Sequence, residues 1–158
     1  LVRRDSAESM SKQLKLKIIT PERIVLEDTV DQVSLPTSLG EITILPDHIP
    51  LIASVASGDI VSCVNGEICF PMAVSGGFLE VKKNEEGITE VAVLADFAEH
   101  VSEISDQKIE QAKQKAEEMR IQMANKENVD FEHFAAELER SLTRVKIADK
   151  WRTRKYKK

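Results

Sequence analysis

Aromatic residues are scarce in this chain. One Trp, one Tyr and five Phe make up 4% of 158 residues. A core built here must therefore come from Val, Ile, Leu and Ala. No apolar run approaches the ~20 residues that a membrane-spanning helix needs, and residues 1–9 lack the apolar core of a secretory signal. Met10 reads as the natural start, which makes 1–9 an expression remnant outside the fold. Without an export signal the two cysteines belong in a reducing compartment. They flank Asn65-Gly66, a strong two-residue hairpin signal. That turn pairs Val64 with Glu67, Cys63 with Ile68 and Ser62 with Cys69, so the two thiols face opposite sides of the sheet. No disulfide is expected on that reading, and both cysteines are expected to be small buried apolar residues.

Catalytic signatures are missing too. There is no G-x-S-x-G, no P-loop and no G-x-G-x-x-G. His48, His100 and His133 lie far apart, none with a Cys or second His at metal-ligand spacing. Ser75-Gly76-Gly77 supplies positive φ for a turn rather than a phosphate cradle. The carboxylates are scattered and read as mostly solvent-facing. The net charge of -5 removes any general reason to expect nucleic-acid binding.

What is present divides in two. Hydrophobic residues are 42% and charged residues 31%, the balance of a folded domain. Up to about residue 95 the pattern is short and strand-like: 14–18, 23–26, 30–35, 41–45, 51–52, 58–64 returning through 68–70, 78–81 and 88–95. Close turn signals between many short strands indicate a β-sandwich or barrel. After Asp96 the period changes. Ile109, Ala112, Ala116, Met119 and Met123 form one helical stripe, with Ser105 at the N-cap position. Asn125 to Val129 is turn-like and Asp130 is a second cap candidate. Phe131, Ala135, Leu138, Leu142 and Val145 form the second stripe. The expectation is an antiparallel αα-hairpin. Its seam relies on Ala112, Ala116 and Ala135, whose methyl groups bury little area. At about 25 cal/mol per Å² such contacts total a few kcal/mol, a size that binding can shift, which leaves two readings: a hairpin that a partner can release, or a permanently packed pair of helices.

Charge is also unevenly spread. From residue 10 to 103 carboxylates greatly outnumber Lys and Arg. From Arg140 onward, Arg140, Arg144, Lys146, Lys150, Arg152, Arg154, Lys155, Lys157 and Lys158 face only Asp149. That asymmetry points to a docking role for the basic end, against the alternative of a solubilising tail.

Four segments, in order, carry a resemblance. They are Ile18-Ile19-Thr20-Pro21-Glu22-Arg23; Leu35-Pro36-Thr37-Ser38-Leu39-Gly40-Glu41-Ile42-Thr43-Ile44-Leu45-Pro46-Asp47-His48-Ile49-Pro50-Leu51; Ala73-Val74-Ser75-Gly76-Gly77-Phe78-Leu79-Glu80-Val81; and Val93-Leu94-Ala95-Asp96-Phe97-Ala98-Glu99. Followed by a helical hairpin, they resemble the epsilon subunit of bacterial F-type ATP synthase, over about residues 14–148. The resemblance implies a ten-stranded β-sandwich at 10–96, a linker at 97–104, a regulatory helical hairpin at 105–151 and a basic tail at 152–158. It implies a non-catalytic subunit of the central stalk of a proton-transporting ATP synthase. Its sandwich would bind the gamma subunit and the membrane c-ring, and its helices, when extended, would restrain ATP hydrolysis. It further implies a peripheral position on the cytoplasmic face of the bacterial plasma membrane, reached through the complex. Thr37, Ser38, Leu39, Gly40 and Glu41 match the c-ring-facing loop, and His48 matches a histidine near gamma. The family often has an acidic residue where Leu39 stands and glycines where Thr43 and Asp47 stand. The family's nucleotide motif falls on Ile104, Ser105, Lys108 and Ile109. Here Ser105 replaces Asp, Lys108 replaces Arg and Ile109 replaces Ala. Ser105 still caps a helix but supplies no carboxylate, and Lys108 lacks the planar fork of Arg, so ATP binding is expected to be weak or absent and no cofactor is expected. Arg140, Arg144, Lys146 and Lys150 are expected to meet an acidic segment of the catalytic beta subunits, in a contact that weakens as salt rises. The reading from another class is a free-standing β-sandwich ligand-binding module with a helical oligomerisation arm.

Overall fold

The computed structural model describes residues 12–125 and 130–155, and no side chains at 67–69, 131, 154 or 155. The expected remnant 1–9 and most of the interhelical turn lie outside the described residues. Ten strands form two five-stranded sheets, followed by a 3-10 turn and two helices. The first sheet orders β2 (Ile24–Val30), β1 (Leu14–Ile19), β9 (Thr89–Leu94), β8 (Phe78–Lys83) and β5 (Leu51–Ser54). The second orders β10 (Phe97–His100), β7 (Glu67–Ser75), β6 (Gly58–Val64), β3 (Gln32–Thr37) and β4 (Gly40–Ile44).

Alternation builds the core. In β1, Leu14, Leu16 and Ile18 point inward while Lys15 and Lys17 point out. Val33, Leu35, Ile44, Ile60, Met72 and Val74 answer them from the second sheet. The core is almost wholly aliphatic, as the shortage of aromatics requires. β1 runs parallel to β9, although every other pair is antiparallel. Sequence patterning cannot anticipate such a pairing, because it joins segments about seventy residues apart.

Three local expectations change. Asn65 and Gly66 take φ of 55° and 75° at the hairpin turn, and Val64↔Glu67 and Cys63↔Ile68 pair as expected. A bulge then sets Ser62 opposite Phe70, not Cys69. Cys63 is buried, and the Cys69 side chain lies outside the described residues. Second, half of the expected linker 97–104 is a strand: Phe97–His100 pairs with Ser75–Met72 of β7. Third, the second helix, α2 (Phe131–Lys155), continues past residue 151 into the expected tail.

The first helix, α1 (Asp106–Ala124), buries Ile109, Ala112, Ala116 and Met119, the expected stripe without its last member, since Met123 is exposed. Ser105 caps it, with Oγ accepting from the Lys108 amide at 3.3 Å. The phase of α2 differs from expectation. Ala135 and Leu142 are exposed, whereas Phe134, Ser141, Thr143, Ile147 and Ala148 are buried. The reason is that α2 packs on two surfaces, α1 and the outer face of the second sheet. A second, small core of Ala73, Ile104, Ile109, Ile147 and Ala148 joins hairpin to sandwich. The hairpin is folded down in this conformation.

Candidate functional site

The outer face of the first sheet changes character along its strands. Ile24 pairs with Ile19, Ile19 with Leu94, Leu94 with Phe78, and Phe78 with Ser54. Ile24, Leu94 and Phe78 are each more than half exposed. The next outward row reads Glu27, Lys17, Ala92, Glu80 and Ile52. Beyond it lie Thr29, Lys15, Glu90 and Lys82. One end of the face is thus an apolar row across four strands, and the other is charged. Contiguous exposed apolar surface of this kind marks a contact with another molecule.

The loop 37–41 adjoins that end. Thr37 pairs with Gly40 across a two-residue turn of Ser38 and Leu39. The Thr37 hydroxyl donates to the Gly40 carbonyl at 2.6 Å and accepts from the Leu39 amide at 3.2 Å. Gly40 takes φ of 120°, open to glycine and strained for other residues. The turn is tied to β5 by the Ser38 amide donating to the Ser54 carbonyl at 3.1 Å. Leu39 is 98% exposed at the tip, and Glu41 is exposed beside it. This projection is hydrogen-bonded at its base and apolar at its point.

Thr43 and Asp47, where the resemblance leads to an expectation of glycine, are locally satisfied. Thr43 shares a 2.7 Å hydroxyl hydrogen bond with Ser34 across the β3–β4 pair. Asp47 adopts φ of 66°, the conformation glycine would provide. Its amide donates to Thr89 Oγ1 at 2.8 Å, and its carboxylate takes Lys12 at 2.6 Å and Lys83 at 3.0 Å. Hydrogen bonds from Lys12 and Lys83, followed by their positive charges, lower its pKa to about 2. His48, one residue on, places Nδ1 2.7 Å from the Ile49 carbonyl, and Ile49 is exposed beside it.

The segment on which the resemblance sets a nucleotide motif, Ile104 to Ile109, is occupied by its own neighbours. Ile104 and Ile109 are buried in the second core. Lys108 Nζ lies 2.5 Å from Glu99 Oε1, and Arg144 Nε lies 2.7 Å from Glu99 Oε2. Burial opposes ionisation of Glu99, but hydrogen bonds from Lys108 and Arg144 and their charges prevail and hold its pKa below the usual 4.5. Arg144 also lies over the Phe97 ring, 4.6 Å from its centroid.

In the folded-down hairpin three of the four basic residues singled out on α2 contact the sandwich. Arg140 Nη2 donates to the Asp96 carbonyl at 3.2 Å. Lys150 Nζ donates to both Asp59 oxygens at 2.9 and 2.8 Å, and Trp151 Nε1 donates to Asp59 Oδ2 at 3.0 Å. Lys146 is exposed. Asp59 and Glu99, against the expectation that most carboxylates face solvent, are buried. The available signal was their setting: Asp59 opens the apolar run Ile60-Val61, and Glu99 follows Phe97-Ala98. Among the described residues no group of three or more His, Cys, Asp or Glu is placed to hold a metal. No helix among them is long and apolar enough to cross a membrane.

Comparison with known proteins agrees with this arrangement. The family model for the ATP synthase, Delta/Epsilon chain, beta-sandwich domain matches residues 13–101. The ATP synthase epsilon chain of Nitratidesulfovibrio vulgaris (strain DP4) is 38% identical over 138 residues, covering 87% of this chain and 97% of that one. The epsilon chain of Halalkalibacterium halodurans is 39% identical over 135 residues, covering 85% and 96%. Among solved structures, a chain of the Euglena gracilis mitochondrial ATP synthase (OSCP/F1/c-ring) shares the fold with a TM-score of 0.62 at 22% identity, over 83% of this chain and 78% of that chain. The aliphatic ten-strand sandwich, the helical hairpin docked on it and the length of the match together place the chain in the ATP synthase delta/epsilon family, as an epsilon chain, a non-catalytic subunit of that complex.

Proposed function

We propose that the chain couples rotation of a proton-driven rotor to ATP synthesis by gripping the rotor shaft with its sandwich, and that its hairpin restrains ATP hydrolysis when it leaves the sandwich. The observation that carries the coupling role is the apolar row Ile24, Ile19, Leu94 and Phe78 on the first sheet. Among the described residues nothing covers the greater part of Ile24, Leu94 or Phe78, which stay 53%, 54% and 60% exposed. A gamma subunit seated there would bury them; His48 and Ile49 lie toward the other end of that sheet, where Asp47 meets Lys83 and Thr89, so a contact of theirs with gamma would be separate from the apolar row. The tip at 37–41 would face the c-ring with Leu39 leading, so the contact there would be apolar, where an acidic tip would make an ion pair. The complex would hold the chain at the cytoplasmic face of the membrane, with no membrane contact of its own.

The nucleotide motif supports a subunit that works without ATP. Lys108 already neutralises Glu99, and Ser105 uses its hydroxyl on the helix amide. Calorimetry on the isolated chain is expected to detect no micromolar ATP affinity, and a micromolar constant would refute this part.

The test of the main proposal is capture of the cognate gamma subunit. Wild-type chain should retain gamma. The double substitution Phe78→Asp with Leu94→Asp should abolish retention while leaving the far-ultraviolet circular dichroism unchanged, since both side chains are exposed. Equal retention by both chains would refute the assignment of this face.

A further inference from the structure

The apolar stripe that the sequence places on α2 stays largely uncovered. Ala135 and Leu142 are exposed, and Leu138 and Val145 are half-buried. Exposed Met123 of α1 joins them along a groove of about 290 Å³ that Ser57 and Gly58 help to line. Helix α2 meets α1 and the sandwich through other positions, where Phe134, Ser141 and Ala148 are buried. The stripe is therefore not needed to hold the hairpin down. Exposed apolar surface rimmed by charge marks a contact with another molecule.

The charges beside the stripe say which molecule. Glu139, Leu142 and Lys146 follow one another at spacings of three and four, so they share one helix face. Glu139 and Lys146 stand about 10.5 Å apart along the axis, too far to pair with each other. Lys146 is exposed and has no ion pair among the described residues. Glu139 is exposed too, and accepts from the Ser57 hydroxyl through Oε1 alone. An anion and a cation set on either side of one leucine is a pattern that a two-fold axis satisfies, because residue i then meets residue j and j meets i. With two α2 helices antiparallel and Leu142 at their crossing, Glu139 of each copy faces Lys146 of the other. A register one turn further along sets Glu139 against Asp149, of like charge.

We propose that this face of α2 is a self-association surface, on which the free chain forms a weak two-fold dimer through antiparallel α2 helices. The seam from Ala135 to Lys146 spans about three turns. Such a seam buries less than the ~800 Å² per partner of a standard interface, so the dimer forms only at roughly tens of micromolar and above. The hairpin keeps its place on the sandwich in both copies. The dimer follows from this face alone and does not rest on the assignment of the first sheet to gamma.

Sedimentation equilibrium on the full chain tests it. Wild type should pass from monomer to dimer between about 1 μM and about 1 mM. Leu142→Asp sets like charges at the crossing and should raise the dissociation constant at least about tenfold. That side chain is 40% exposed, so the fold tolerates the change. E139K and K146E should each raise the constant about tenfold, the scale of two exposed pairs turned from attraction to repulsion. An equimolar mixture of E139K and K146E should dimerise as wild type does, because one chain then carries two cations along the seam and the other two anions. That rescue separates a lost contact from a lost fold, and nothing within one chain produces it. A wild type that stays monomeric throughout overturns the proposal, and loss of gamma capture by L142D would then give the stripe to gamma. A dimer that L142D leaves unchanged, or that the mixture fails to restore, overturns the assignment of the seam.

Discussion

Replacing Gly77 with alanine would put a methyl group where the chain has no room for one. Gly77 lies in the turn between β7 and β8, with φ of 116°. A Cβ there would stand 2.0 Å from the Leu94 carbonyl oxygen and 2.8 Å from the Ala95 Cα. Both obstacles are backbone atoms of the neighbouring chain segment, so no rotamer change relieves them. The backbone conformation alone costs roughly 1–3 kcal/mol for a residue with a side chain. Moving the end of β9 aside weakens the bond from the Val55 amide to the Gly77 carbonyl, 2.9 Å long, for about another 1 kcal/mol. Overpacking adds about 1–3 kcal/mol. The sum, about 3–7 kcal/mol, is a large part of the ~5–15 kcal/mol that holds a domain together. Gly66→Ala provides the control. Gly66 also has positive φ, 75°, but a Cβ there meets nothing within 4 Å, so only the conformational term of about 1 kcal/mol remains. Urea denaturation followed by far-ultraviolet circular dichroism should give a much lower midpoint for G77A than for G66A. Midpoints that coincide would show that steric room at Gly77 is not what excludes a side chain, and the reasoning would fail. The same displacement should loosen the neighbouring Phe78–Leu94 pair, so G77A should also weaken capture of gamma at temperatures where it remains folded.

Three further outcomes follow from the contacts described. The folded-state pKa of Glu99 lies below its ordinary 4.5, so its contribution to hairpin docking is present above that value and is lost as pH falls through the lowered one; acrylamide quenching of Trp151 between pH 7 and 3 should show an acid transition from which E99Q lacks this component. Ile147→Ala, at a position only 2% exposed between helix and sheet, should weaken docking by about 2–4 kcal/mol and raise Trp151 quenching at neutral pH, with the sandwich's strand signal unchanged. Leu39→Ser should leave the denaturation midpoint within the equivalent of about 0.5 kcal/mol, because the side chain touches solvent alone, yet reduce co-sedimentation with purified c-ring.

Much of this architecture is legible without coordinates. Alternation in Leu14, Leu16 and Ile18, the Asn65-Gly66 turn and the three–four spacing of Ile109, Ala112, Ala116 and Met119 each encode one local element and its buried side. These signals survive because one partner surface receives each element. α2 is different. It is held between α1 and the second sheet, so no single apolar stripe describes it. Leu142, which belongs to the apparent stripe, is exposed, while Ser141 and Thr143 are buried. β10 escaped for a related reason: Phe97–His100 is four residues long and carries a glutamate inward to the hairpin, so its composition resembles a linker.

The charged surfaces show the same division. Sequence alone shows that the C-terminal end is basic and the preceding segment acidic, and it cannot say which charges meet. Asp59 and Glu99 are forty residues apart in the chain, and sheet pairing sets them on either side of Ala73. Arg144 and Lys150, expected to meet an acidic segment of another subunit, are paired with those two carboxylates in the folded-down hairpin.

By itself, then, the sequence determined each strand and helix that has one buried face, the aliphatic character of the core, the turn at Asn65-Gly66 and the family to which the chain belongs. Those properties are written in periods of two or of 3.6 residues and in short ordered motifs, all of them local. Tertiary structure alone decided the parallel β1–β9 pair, the phase of α2, the apolar row from Ile24 to Phe78 and the pairing of hairpin cations with sandwich carboxylates. Each of those depends on which distant segments lie side by side, and a charge or a methyl group has no fixed energetic meaning until its neighbour across the interface is known.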